Sequence, residues 1–266
     1  MTANAITDLL VSVDWLAEHH DDANLLIVDV RPEDQYAQGH IPGAVSLDLY
    51  PIKILGSDPE KIEGWVREIE HAFRQIGIDR ERHVVFYEDI SGTTAARGVW
   101  LMHALSIGEG AMLDGGLRAW LAAGNEISTE PVTASQSDVT ATLDPALFAT
   151  ADDVLSASND DTDTTIIDTR ADLEWMQGTI PGARHVEWIH HLNRDGTIKP
   201  IDELRALYTD MGLAPDDDAI TFCASGYRAA HTWLVLRMLG HDRVQNYAPS
   251  WGEWGLRDDL PVTSTQ

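Results

Sequence analysis

The sequence predicts two tandem α/β domains, each a mainly parallel sheet flanked by helices. Three observations lead there. Four blocks of residues recur in the same order in the two halves of the 266-residue chain, and a repeat of this kind means a duplicated domain. Within each copy, short runs of β-branched residues alternate with longer segments of helical period, the pattern of a parallel sheet with covering helices. Between the copies, Ser128 to Asp144 is rich in Ser, Thr, Asp and Pro with weak apolar periodicity, and it reads as a linker. The expected division is residues 1–130, a linker at 131–143, and residues 144–266.

The blocks justify the elements in turn. Leu26-Ile27-Val28-Asp29-Val30-Arg31 answers Thr165-Ile166-Ile167-Asp168-Thr169-Arg170, a strand ending in Asp-x-Arg in each copy. Gly39-His40-Ile41-Pro42-Gly43-Ala44 answers Gly178-Thr179-Ile180-Pro181-Gly182-Ala183, a turn in the same register. Val84-Val85-Phe86-Tyr87-Glu88 answers Ala219-Ile220-Thr221-Phe222-Cys223, a second strand that places Glu88 opposite Cys223. Leu113 to Trp120 answers Tyr247 to Trp254. The segment after Cys223 has a helical pattern from Arg228 to Leu239, with Ala229, Trp233, Leu236 and Leu239 on its buried face, and Gly240 provides a left-handed stop.

Composition narrows the function. The formal net charge is −26, spread over both halves in runs such as Asp216-Asp217-Asp218, and lysine occurs only at Lys53, Lys61 and Lys199. This resembles proteins from salt-accumulating cells: at molar salt the Debye length falls to about 3 Å and self-repulsion is screened. A polyanion is a poor partner for such a chain and no basic patch is visible, so nucleic acid is not expected. No stretch approaches the roughly twenty apolar residues that span a bilayer, and Met1 to Val13 lacks the basic start of a secretory signal. A cytoplasmic protein without a membrane partner is expected. The oligomeric state stays open.

Cys223 is the sole cysteine. An internal disulfide, a C-x-x-C redox cycle and a cysteine-rich zinc site are thereby excluded. It stands where a strand gives way to the short loop Cys223-Ala224-Ser225-Gly226-Tyr227-Arg228 and then a helix, so that loop amides and one fixed cation converge on the sulfur and stabilise a thiolate. The alternative is a buried structural cysteine acting as a small apolar residue. His190-His191 and His19-His20 read as solvated surface histidines, because adjacent side chains seldom point at one ion. No metal or cofactor is expected. Trp251 and Trp254 read as packing residues, with Trp251 alternatively bordering a pocket.

These residues resemble the tandem rhodanese-like sulfurtransferases, which include thiosulfate and 3-mercaptopyruvate sulfurtransferases. The likeness runs from about Leu10 to Val262 and rests on the paired Asp-x-Arg and Gly-x-Ile-Pro-Gly-Ala blocks, the Cys223 loop running into His231-Thr232-Trp233, and Asn246-Tyr247 with Ser250-Trp251-Gly252-Glu253-Trp254-Gly255. It implies that the C-terminal copy carries the catalytic cysteine and that the N-terminal copy is inactive. It further implies that Cys223 takes the outer sulfur of a small donor as a persulfide and passes it to cyanide or another thiophilic acceptor such as a thiol, with two half-reactions and ping-pong kinetics. The amides of Ala224, Ser225, Gly226, Tyr227 and Arg228 hold the anion in that scheme.

Arginine suits an anionic donor because a guanidinium binds two oxygens at once. Arg228 is the first candidate. Arg170 is a second, with a bracing ion pair to Asp168 as its alternative role, and Arg184 follows the turn at Pro181 and is placed facing the cleft. The small neutral Ala224 and Ser225 are similar to mercaptopyruvate enzymes, whereas Gly226-x-Arg228 and His231-Thr232-Trp233 look like the microbial thiosulfate group. Glu174 stands where vertebrate relatives carry a donor-binding arginine, so the donor grip differs or Glu174 pairs with a loop arginine. Thiosulfate is the favoured donor and 3-mercaptopyruvate the alternative. A phosphatase or arsenate reductase fits less well, since those loops place one more residue between Cys and Arg than the four found here. A non-catalytic binding module is a third reading, opposed by the intact loop.

Overall fold

Apolar β-branched runs such as Leu25–Asp29 and Ala219–Phe222 bury both faces, so they sit in the middle of parallel sheets rather than at an edge. The computed structural model describes residues 9–159 and 162–264. It divides into two units. The first comprises the chain up to Ile52, Val66–Leu143 and Leu192–Ile198; the second comprises Lys53–Trp65, Asp144–His191 and the chain from Lys199 on.

In the first unit, strands β1 (Leu10–Val11), β2 (Leu25–Asp29), β3 (Val45–Ser46), β4 (His83–Tyr87) and β5 (Gly110–Leu113) form an all-parallel sheet in the order β1-β5-β4-β2-β3. Helices α1 (Val13–His19), α2 (Glu33–Gln38), α3 (Pro59–Gln75, assigned to this unit from Val66 on), α4 (Thr93–Ala104) and α5 (Gly116–Ala122) alternate with the strands. Leu16, Ile27, Val85, Leu113 and Trp120 belong to one buried cluster.

The second unit repeats the plan with α6 (Ala151–Ser158), β6 (Thr165–Asp168), α7 (Asp172–Met176), β7 (Arg184–His185), a 3-10 helix (Trp188–His191), α8 (Ile201–Asp210), β8 (Ala219–Phe222), α9 (Tyr227–Met238), β9 (Val244–Asn246) and α10 (Ser250–Trp254). Its parallel sheet runs β7-β6-β8-β9, and a single parallel bridge from Phe148 to Asn246 stands where the first unit has β1. Thr150 caps α6, accepting from the Asp153 amide while the Asp153 carboxylate accepts from the Thr150 amide. Gly240 follows the end of α9 at φ +91°, the left-handed stop expected there. Trp120 and Trp254, at matching positions, each donate the indole N–H to a carbonyl, of Glu126 and Pro261 respectively, at 2.8 Å. No described helix is long and apolar enough to cross a membrane.

The stretch 131–143, expected as a linker, is part of the first unit. Arg74 Nε donates to the Val139 carbonyl at 2.6 Å, the Ala141 amide to Glu70 at 2.8 Å, and the Thr142 amide to the Leu105 carbonyl at 2.9 Å. Its polar composition therefore reflects a strap of extended backbone satisfied by α3 and its neighbours, not a free tether. Two excursions also lay outside the expected division. Ser57, from the early half, belongs to the second unit, where its amide donates to Glu253 and its hydroxyl accepts from the Ala151 amide, both at 2.9 Å. Leu192–Ile198, from the late half, belongs to the first, where Gly196 accepts from the Ser91 amide and the Ile198 amide donates to Asp114.

Candidate active site

Cys223 leaves the C-terminal end of β8, an inner strand flanked by β6 and β9, and the chain turns through Gly226 into the twelve-residue α9. Ligands gather at such strand ends, where the amides of a following helix are unpaired. Gly226 adopts φ +83°, and a side chain there would come 2.6 Å from the Ala248 carbonyl oxygen, so the turn admits glycine alone. Its amide donates to Cys223 Sγ at 3.1 Å, and its carbonyl accepts from Asn246 Nδ2 at 3.1 Å. Cys223 is unpaired and wholly buried, Tyr227 is buried against the core, and Ala224 and Ser225 are half-buried. Of the expected loop residues Gly226 bonds the sulfur directly, and Ala224, Ser225 and Tyr227 lie in the same tight turn at the N-terminal end of α9.

The other side of the loop is held by a residue whose role the sequence did not disclose. Ser250 has φ +56°, a costly conformation for a side chain, and is fully buried. Its hydroxyl accepts from the Cys223 amide at 3.0 Å and donates to the Tyr247 carbonyl at 2.7 Å. The next two amides complete the clamp: Trp251 donates to the Cys223 carbonyl at 3.0 Å and Gly252 to the Ala224 carbonyl at 2.9 Å. Asn246 and Ser250 flank Tyr247 in a motif already visible in the sequence, so the signal was present without the partner.

Arg228 is the second residue of α9. It donates from both terminal nitrogens to Glu174 on α7, one bond measuring 2.9 Å. Burial opposes the Arg228 charge, but the Glu174 bonds and the nearby Cys223 sulfur more than offset it, and the guanidinium holds its proton more tightly than usual. The same bond holds the Glu174 carboxyl below its ordinary range, against partial desolvation. Of the two roles weighed for Glu174, the geometry is that of a pair with a loop arginine.

Arg170 makes the ion pair of the bracing role weighed for it, and Arg184 is placed differently from expectation. Arg170 is buried, bonds Asp168 through Nε and Nη2 at 3.0 and 2.6 Å, gives a further bond to the Gly178 carbonyl at 2.7 Å, and lies 4.2 Å beneath the Trp251 ring. Arg31, in the copy without a cysteine, bonds Asp29 and the Gly39 carbonyl at 2.6 and 2.7 Å in the same way. The pattern is kept where there is no nucleophile, as the bracing role requires. Arg184 lies exposed on edge strand β7 and donates to the Met211 carbonyl at 2.7 Å, which directs it away from the Cys223 loop toward the end of α8.

Glu88 occupies the position of Cys223 in the first unit down to its backbone bonds: its carbonyl accepts from the Leu117 amide at 2.8 Å, as that of Cys223 does from Trp251. Its carboxylate accepts from the Thr94 and Ala95 amides at 2.7 and 3.1 Å, against Gly92 at the start of α4. Burial raises its pKa, and those two amide bonds oppose the rise. The histidine pairs also differ from expectation. His19 and His20 are half-buried and bond the Trp15 and Ala17 carbonyls. His191 is wholly buried, because the 3-10 helix turns it inward to Tyr208 and His231, whereas His190 is exposed.

The family described as the rhodanese-like domain matches residues 12–123 and again 150–256. A 3-mercaptopyruvate sulfurtransferase of Escherichia coli (strain K12) is 32% identical over 277 residues, covering 96% of this chain and 98% of the relative. A thiosulfate sulfurtransferase of Azotobacter vinelandii is 31% identical, covering 90% of each. A crystal structure of a 3-mercaptopyruvate sulfotransferase from Escherichia coli superposes with a TM-score of 0.78 at 30% identity, covering 92% of this chain and 99% of that one.

Proposed function

We propose a reaction for Cys223 from one premise: the chain belongs to the rhodanese family and is a sulfurtransferase made of two rhodanese-like domains. The observation that carries the reading is the sole cysteine, seated against the Gly226 amide at 3.1 Å with the Arg228 guanidinium in bonding reach, at the head of α9. A thiolate there attacks the outer sulfur of thiosulfate. The new sulfur–sulfur bond forms as the donor's own breaks, and sulfite leaves with the electron pair. The product is a Cys223 persulfide anion, held by the loop amides and Arg228. Cyanide or a cellular thiol then attacks the outer sulfur, and the pair returning to Sγ restores the thiolate. With no second cysteine in the chain, the sulfur leaves only with an outside acceptor.

One feature favours 3-mercaptopyruvate as a second reading of the donor. Glu174 neutralises much of the Arg228 charge, and Ala224 and Ser225 add none, so a singly charged carboxylate donor is served as well as a dianion. Intact-protein mass spectrometry at high salt decides. Wild type incubated with each donor gains one sulfur that cyanide removes as thiocyanate, Cys223→Ser gains none, and the donor that loads faster is the substrate. Failure of both donors to load Cys223 overturns the reading.

A further inference from the structure

Arg228 meets Glu174 in the way an arginine meets a bound anion. Its Nη1 donates to Glu174 Oε2 and its Nη2 to Glu174 Oε1, so that two terminal nitrogens face two carboxylate oxygens as a fork faces a fork. A guanidinium grips the carboxylate or the paired oxygens of a small donor in this same geometry. Arg228 is also in bonding reach of the Cys223 sulfur, which is wholly buried. A donor that brings its outer sulfur to Cys223 therefore finds the adjoining fork filled by a side chain of the protein itself.

This pair and the brace on the same sheet differ in what opening them costs. The Arg170 and Asp168 side chains are 3% and 0% exposed, and the Asp168 carboxylate also accepts from the Arg170 amide and the Thr179 hydroxyl. Separating them strands a charge in the interior. Arg228 and Glu174 are 20% and 38% exposed. When Arg228 turns away, Glu174 Oε2 keeps the bond it accepts from the Ala171 amide at 3.2 Å, at the start of α7, and the exposed part of the carboxylate is hydrated. The carboxylate thus has a resting place without the arginine, and a pair with this exposure opens at small cost.

We propose that Glu174 is an internal competitor of the sulfur donor: its carboxylate holds the Arg228 fork between turnovers, and the anionic group of the donor binds by displacing it. No covalent bond changes in this exchange, since one set of N–H to oxygen bonds replaces another. Glu174 acts on the donor through Arg228, and so it is a positioning residue that sets donor affinity. Apparent affinity is lowered by the fraction of molecules whose fork is closed. At the upper end of what a partly exposed pair contributes, the closed form outweighs the open one about fivefold, and removing the competitor tightens donor binding by about that factor.

This inference rests on the sulfur-transfer reading of the same site, and the test separates the two. Anion binding is measured in full-length Cys223→Ser, which transfers no sulfur, by calorimetric titration with sulfite and with thiosulfate at one salt concentration. The KM and kcat of each donor are measured at saturating cyanide in protein that keeps Cys223. Glu174→Gln retains the shape of the side chain and removes its charge; both anions are expected to bind about fivefold more tightly, and donor KM to fall by the same factor. Asp172→Asn removes the same charge from α7 at a side chain that is 70% exposed and faces His185, and it leaves both affinities within about twofold. In an Arg228→Ala background, Glu174→Gln gives no further gain. Absent, unchanged or weaker anion binding in Glu174→Gln, an equal gain from Asp172→Asn, a gain that persists without Arg228, or a fall in kcat at constant KM overturns the competition. If both anions bind more tightly in Glu174→Gln and yet neither thiosulfate nor 3-mercaptopyruvate loads Cys223, the sulfur-transfer reading falls and the competition for Arg228 stands.

Discussion

Replacing Ser250 inverts an ordinary rule of substitution. At most positions alanine is more stable than glycine by about 0.5–1 kcal/mol, because glycine loses more backbone freedom on folding. At φ +56° the order reverses, since a side chain in the left-handed region costs about 1–2 kcal/mol that glycine does not incur. Both substitutions lose the bonds to the Cys223 amide and the Tyr247 carbonyl, at about 0.5–1.5 kcal/mol each. Ser250→Ala keeps the strain and loses about 2 kcal/mol. In Ser250→Gly relief of strain offsets about half of that, leaving the glycine variant about 1 kcal/mol the more stable. Urea unfolding at fixed molar salt, followed to the midpoint, makes the comparison, and both variants load sulfur more slowly because the Cys223 amide is no longer anchored. An alanine variant as stable as the glycine variant would refute the strained anchor.

The two buried arginines and the loop arginine separate stability from activity. Arg170→Ala and Arg31→Ala each strand a buried aspartate and cost about 3–5 kcal/mol, whereas Arg228→Ala loses only a partly exposed pair with Glu174, lowers the melting temperature less than either, and lowers the rate of sulfur loading; calorimetry paired with the loading assay checks both. The Glu174 carboxyl has a lowered pKa through its bond to Arg228, so its contribution is complete above the ordinary carboxylate range and is lost as pH falls through the folded value. Glu174→Gln is therefore expected to abolish that acid-side change, read as the pH dependence of thermal stability below about pH 4.5. With a net charge of −26, melting temperature and loading rate rise together from dilute buffer to molar potassium chloride, and a flat response removes the salt-adapted reading.

Much of this was legible in the residues. The repeat predicted the two sheets, and the alignment of Leu113 to Trp120 with Tyr247 to Trp254 even sets Ser250 opposite Gly116, which share φ values of +56° and +57°. The repeat also contained the reason to read Arg170 as a brace, since Asp29 and Arg31 keep the same spacing beside Glu88. What stayed hidden were pairings between distant residues of the chain. His191 with His231 spans 40 positions and the Ser250 hydroxyl with the Cys223 amide spans 27, whereas the pairing of Glu174 with Arg228 across 54 was one of the two roles that the resemblance offered. Local pattern carries no such information. The strap at 131–143 was misread for a related reason: Arg74, Glu70 and Leu105 satisfy its backbone, and none is near it in sequence.

The first unit also bears on what the second does when loaded. At the head of α4 the Glu88 carboxyl supplies, permanently, an acceptor for two helix amides. On the proposed chemistry, the head of α9 gains an outer sulfur atom as a further acceptor when Cys223 is loaded and loses it at each turnover. Transferred sulfur is then a ligand of the fold as well as cargo, and the loaded protein melts higher than the discharged one. Cyanide lowers the melting temperature of protein first loaded with donor and leaves Cys223→Ser unmoved. One half of the molecule would thus cycle in rigidity with its reaction, while the other keeps the filled condition built into its sequence.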